Sequence, residues 1–296
     1  MKVEIHKNVY CTLLLSLVLV LILSGVSYGS KRVALVIGNS DYKVSPLKNP
    51  KNDATDIAKT LKNLDFEVIT KINASKREMV SAADTFYRKL KKAEVGLFYY
   101  AGHGMQIRGR NYLLPVAINV TTETDVEFEA VDAGRIIGKM RVADNKLNVV
   151  ILDACRNNPF KRSFRTAEQG LARMDAPVGT IIAYATGPGN VAADGRGRNG
   201  IYTKHLLSAM KQPGLNIQDI FNEAGMKVMR ETSNRQVPWT SNTPIPRYYL
   251  AGGSYLVEEV PPSMPTRKTG SLRVTSKPSN AALYIDSGYR GTTPVT

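Results

Sequence analysis

The amino-acid sequence predicts an α/β fold: a mainly parallel six-stranded sheet with helices on both faces. Three observations carry this expectation. Short apolar runs such as RVALVIG and GLFYY are almost uninterrupted, as strands buried on both faces require. Segments with apolar residues at helical spacing alternate with these runs, the order that builds strand–helix–strand crossovers. A chain of 296 residues, 43% hydrophobic and 22% charged, is long enough for one large domain plus a small appendage.

Taken in order, Arg32 to Gly38 is the first strand, and Asp53 to Leu64 a helix with Ala54, Ile57, Ala58 and Leu61 on one side. Phe66 to Thr70 is a second strand. Ser75 opens a long helix to about Lys92, with Glu78 placed three residues on for a capping box. Gly96 to Tyr100, Leu147 to Leu152 and Gly179 to Ala185 are the third, fourth and fifth strands. Helices follow over Tyr202–Met210 and Ile217–Glu231, and Arg247 to Leu250 closes the sheet. Beyond this body (30–256), residues 257–269 form a proline-rich linker. Residues 270–296 read as a partial β-module, with strands at Gly270–Val274 and Ala281–Asp286.

Residues 1–29 read as a leader. Lys2 and Lys7 precede an apolar run from Thr12 to Leu23, and Ser27 and Gly29 suit a signal-peptidase cut before Ser30. The run from Val9 to Val26 also approaches the ~18 residues of a spanning helix. The mature chain is therefore expected to be exported, periplasmic or extracellular, or else tethered by an uncleaved leader. Once the leader is gone, Cys155 is the only cysteine, which excludes an internal disulfide and a cysteine-based metal site. A net charge of +15 favours anionic envelope surfaces or acidic partners. No aromatic-interleaved basic stripe points to nucleic acid.

In parallel sheets the working site lies beyond the carboxyl ends of the strands. Two apolar strands end there in reactive residues. YYAGHG places His103 just past the third strand, between two glycines, and VVILDAC places Cys155 past the fourth. If these strands are neighbours, a thiol, a base and nearby backbone amides meet at one edge, as nucleophilic thiol catalysis requires.

YYAGHG followed by LDACRN resembles the caspase superfamily, whose signature places a histidine about 50 residues before its cysteine motif. RVALVIGNSDY, LKNPKNDA and IIAYATGPGNVAADGRGRNGIYTKHLL are similar to further segments of that family, so the resemblance spans Lys31 to Leu256. Among its members it resembles the bacterial metacaspase-like peptidases, or orthocaspases. It implies a caspase-like fold, His103 as base, Cys155 as nucleophile, and the amides of Gly104 and Cys155 as oxyanion donors. Asp153 stands where animal caspases carry a glutamine, and Asn157 where they carry a glycine. Asp153 and Asp53 match acidic pocket residues of metacaspases and paracaspases, which implies cleavage after Arg or Lys. Two carboxylates would bind a guanidinium through charge-assisted bonds worth about 1.5–3 kcal/mol each. Ala101 departs from the serine some metacaspases carry.

The expectation is a secreted cysteine endopeptidase acting on polypeptides at basic residues. The basic loop 156–176 offers Lys161, Arg162, Arg165 and Arg173 for self-cleavage. No cofactor is called for. The aspartate cluster of calcium-dependent metacaspases is not identifiable, and calcium stays open. Two other readings stand beside this one. The fold can be retained as a catalytically silent binding or scaffold module at the cell envelope, which the PEGA-like start at Gly270 favours. A legumain- or clostripain-like peptidase would keep the dyad and change the substrates. His205 reads as structural.

Overall fold

The computed structural model describes residues 31–155, 170–187, 195, 197–252, 273–277, 279, 281–285 and 288–293. The leader, the loop positions Lys161, Arg162 and Arg165, and the proline-rich linker lie outside the described residues. Contacts divide the chain between Val257 and Glu258 into two compact units.

In the first unit, β1 (Arg32–Gly38), β2 (Phe66–Ile72), β3 (Val95–Ile107), β6 (Leu147–Cys155), β7 (Thr180–Tyr184) and β8 (Trp239–Asn242) form a sheet ordered β2-β1-β3-β6-β7-β8. All its pairings are parallel except β7 with β8. Every residue of β1 and β3 is buried, which is why Val33–Gly38 and Gly96–Tyr100 read as nearly unbroken apolar runs.

One face is covered by α1 (Pro50–Asn63), α5 (Ile201–Met210) and α6 (Ile217–Glu231), whose Ile57, Leu61, Leu206, Ile220 and Phe221 pack on Val36, Tyr99 and Ile151. The other carries α2 (Lys76–Leu90) and α4 (Ala133–Val142), with Met79, Phe86, Ile136 and Met140 on Leu35, Phe98 and Val150. The expected capping box of α2 is present: Ser75 Oγ accepts from Glu78 N–H, and Glu78 accepts from Ser75 N–H at 2.9 Å. A third cluster under α3 (Glu123–Glu129) joins Tyr42, Met105, Tyr112, Leu114 and Val126.

Four features differ from the sequence-based expectation. Pro50 occupies the first turn of α1, where a missing N–H costs nothing, so the helix starts three residues before Asp53. β3 does not stop at Tyr100. From Gly104 to Ile107 it pairs antiparallel with β4 (Arg110–Leu113), which pairs in turn with β5 (Val131–Asp132). The elements from β4 to α4 had not been anticipated. Finally, β8 rather than Arg247–Leu250 closes the sheet. Pro244 and Pro246 interrupt the chain before that segment, where the Tyr248 carbonyl accepts from Ile217 N–H and Arg32 stacks on the Tyr248 ring.

In the second unit, β9 (Ala282–Ile285) and β10 (Gly288–Thr292) form an antiparallel hairpin with an irregularity between Tyr289 and Gly291. β9 falls on the expected second strand of that module. Most of the expected Gly270–Val274 strand lies outside the described residues.

Candidate active site

His103, where the β3–β6 pairing ends, and Cys155, the last residue of β6, are register partners. Neighbouring strands stand about 4.8 Å apart, so the two backbones are adjacent at the carboxyl edge. The expectation had put both residues just beyond their strands. Both belong to the ladder, because β3 continues into its pairing with β4.

The imidazole is buried, and its surroundings set its tautomer. His103 Nε2 lies 2.7 Å from the Ser45 carbonyl oxygen. A carbonyl only accepts, so Nε2 carries the hydrogen and a neutral ring keeps its lone pair on Nδ1. Ser45 adopts a φ of 53°, in a loop braced by Asn73. Asn73 Oδ1 accepts from Ser40 and Asp41 N–H at 2.9 and 3.1 Å.

The same loop carries Tyr42, whose ring lies 4.5 Å from the imidazole at 55°. Its hydroxyl accepts from His103 N–H and donates to the Leu114 carbonyl, both at 3.0 Å. Gly102 makes this arrangement possible. Its φ is 153°, and a Cβ there would sit 2.6 Å from the Tyr42 hydroxyl and 2.7 Å from that of Tyr100.

Gly104 lies opposite Leu113, and the next donor, Leu114 N–H, goes back to the His103 carbonyl. That pattern makes Gly104–Leu113 a non-hydrogen-bonded pair, so Gly104 N–H points away from β4 and toward β6. The implied oxyanion donor is thus directed to the side on which Cys155 lies.

Asp53 and Asp153 converge from different elements. Asp53, on α1, accepts from Gly200 N–H at 3.0 Å through Oδ1 and is buried. Asp153, on β6, accepts from the Thr203 hydroxyl at 2.6 Å through Oδ2. A Cβ on Gly200 would lie 3.2 Å from Asp53 Oδ2 and 3.7 Å from Asp153 Oδ2, so both carboxylates gather about one point. Asp53 does not cap its own helix, since Asn49 takes that position. Its negative charge is felt nearby. Burial, then Asp153 and Asp53, raise the Tyr99 hydroxyl well above its ordinary pKa.

The segment before α5 is pinned to α1. Arg198 donates to both Asp56 oxygens at 2.9 and 3.0 Å, and Asn199 adds a bond to Asp56 at 2.9 Å. The guanidinium holds the Asp56 carboxyl below its usual range. Sequence reasoning had not singled out Tyr42, Ser45, Tyr99, Gly200 or Thr203. Tyr99 and Thr203 stood within quoted motifs, but nothing in a linear pattern shows that their hydroxyls meet.

Arg173 lies exposed over the Trp239 ring, 5.1 Å from its centroid, and 3.8 Å from Asp175. Asn111 clamps the preceding residue, accepting from Ala172 N–H at 2.7 Å and donating to its carbonyl at 2.8 Å. His205 pairs with Glu231 at 2.6 Å on the surface, in keeping with a structural residue. Among the described residues, no group of three or more His, Cys, Asp or Glu is placed to hold a metal ion.

Comparison with known proteins agrees with this architecture. The family model described as "Caspase domain" matches residues 31–249. Human mucosa-associated lymphoid tissue lymphoma translocation protein 1 is 31% identical over 179 residues, covering 59% of this chain and 21% of that protein. Its mouse homolog is 30% identical over 187 residues, covering 62% and 22% respectively. The chain thus matches little more than a fifth of each relative's length. The crystal structure of the Drosophila initiator caspase Dronc superposes with a TM-score of 0.51 at 15% identity, covering 74% of this chain and 85% of that one. With the match running from before β1 to beyond β8, this chain belongs to the caspase-domain family of peptidases.

Proposed function

We propose that the chain is a cysteine endopeptidase that cleaves polypeptides after arginine or lysine, with Cys155 as nucleophile and His103 as base. One observation carries it: the register pairing of His103 with Cys155 lies at the same sheet edge as two converging carboxylates, Asp53 and Asp153. In this mechanism His103 Nδ1 takes the thiol proton as the sulfur attacks the scissile carbonyl. The amides of Gly104 and Cys155 stabilise the tetrahedral oxyanion. The imidazolium returns its proton to the departing amine, the C–N bond breaks, and a thioester remains. Water, deprotonated by His103, then releases the carboxylic acid and restores the thiol.

The acidic floor selects the substrate. A guanidinium or ammonium gains two charge-assisted partners, whereas an acidic side chain meets like charge. The leader at residues 1–29 would carry this activity out of the cytoplasm, where the strongly positive charge suits an anionic envelope surface. In the same reading the chain cuts itself after one of Lys161, Arg162, Arg165 and Arg173. At Arg173 the adjoining backbone is held by Asn111, which slows a cut there.

A digest of a mixed peptide library tests this directly, with every new carboxyl terminus sequenced, those of the enzyme's own chain included. The expected outcome is Arg or Lys at nearly all new termini. Cuts scattered over residue types, or cuts after aspartate, would overturn the specificity. An undigested library would overturn the activity.

A further inference from the structure

Tyr99 and Thr203 are both fully buried, yet each carries a hydroxyl into the core between β3, β6 and α5. Phenylalanine and valine would fill the same space without the cost of desolvating two hydroxyls. The hydroxyls are joined to each other at 2.6 Å, and Thr203 is joined to Asp153 at 2.6 Å.

Counting protons gives the chain a direction. Thr203 has one hydroxyl proton, and it points to the Asp153 carboxylate. The contact between Tyr99 and Thr203 must then be made by the Tyr99 proton. The raised pKa of Tyr99 keeps that proton in place. Tyr99 therefore orients Thr203, and Thr203 orients Asp153. On the other carboxylate, Gly200 N–H fixes Asp53 from the same end of α5.

We infer that Thr203, oriented by Tyr99, is a specificity-determining positioning residue that aims the Asp153 carboxylate at the basic side chain of the substrate. This rests on the reading of Asp153 as part of the specificity pocket. Thr203 does not touch the reacting atoms. Its role is to hold the carboxylate by Oδ2, on the side where Asp53 also lies, which saves the ordering cost that a loose carboxylate would incur at each binding event.

The test uses binding rather than turnover, with the full chain carrying Cys155→Ala and a peptide ending in arginine as the probe, measured by calorimetry. Adding Thr203→Val is expected to weaken the arginine peptide about tenfold, the order of one hydrogen bond to a charged group. Thr203→Ser should restore affinity to within about twofold of the parent on the same grounds. In an Asp153→Asn background, Thr203→Val should produce no further loss, because the two residues act as one unit. Thr203→Val also strands the Tyr99 hydroxyl. The pair Tyr99→Phe with Thr203→Val removes that burden, so it should recover thermal stability while leaving arginine affinity weak.

An unchanged affinity in Thr203→Val, or an equal loss in the Asp153→Asn background, would overturn the inference while leaving the pocket reading intact. A parent that fails to bind the arginine peptide at all would overturn both.

Discussion

Cys155→Ala is expected to lower hydrolysis of an arginine-terminated reporter peptide by about ten-thousand-fold or more in kcat, the scale seen when a covalent nucleophile is deleted. The thiol is the only group in this scheme that forms a bond to substrate, so no neighbour substitutes for it. In the proposed mechanism His103 and Cys155 share one proton-transfer step. Combining Cys155→Ala with His103→Ala should therefore cost no more than either change alone. Single-turnover rates on the three variants, with melting curves to confirm folding, make the measurement. Residual activity within tenfold of the parent would show that another residue attacks.

Asp153→Asn is the second large expected effect. The amide oxygen can still accept from the Thr203 hydroxyl, so the local hydrogen bond survives and only the charge is lost. Removing one partner of a desolvated charge pair costs about 2–4 kcal/mol. That corresponds to roughly a 30- to 1,000-fold drop in kcat/KM for arginine peptides, at about 1.4 kcal/mol per tenfold. Thermal stability should change by less than about 1 kcal/mol, since a neutral isostere leaves the packing intact. Asp53→Asn acts in the same direction. Its amide oxygen can still take the Gly200 N–H, but rotation of the buried side chain would place an NH2 against that donor, so some stability is lost as well. Activity on arginine peptides that survives Asp153→Asn unchanged would remove the acidic floor from the account.

How much of this was written in the chain can be judged from particular residues. The strands through Leu35, Phe98 and Val150 were legible because burial on both faces demands a continuous apolar run, a signal needing no partner. The capping box of Ser75 and Glu78 was legible for the same reason, being local. The start of α6 at Ile217 follows from Asn216, whose side chain accepts from two backbone amides of the first turn. The continuation of β3 past His103 was not legible, because it depends on β4, a strand of four residues rooted in a turn. Nor was α4, although Ala133, Ile136, Ile137 and Met140 keep helical spacing; Gly134 and Gly138 dilute that signal.

The candidate site divides along the same line. His103, Cys155, Asp53 and Asp153 could be named from two motifs and a resemblance. Tyr42, Ser45 and Thr203 could not. Each acts through a contact between segments 50 or more positions apart, which only the folded register brings together. Asp53 shows the gain most clearly. From its position it could have been a cap of its own helix, and the fold instead spends its carboxylate on Gly200, beside Asp153.

Specificity set by charge at a sheet edge is tested most directly by two peptides identical except that one carries arginine, and the other its neutral isostere citrulline, before the scissile bond. kcat/KM should be at least about a hundredfold higher for arginine, as loss of one charge facing two carboxylates requires. Equal rates on the two peptides, or no cleavage of either by the wild-type chain, would contradict it.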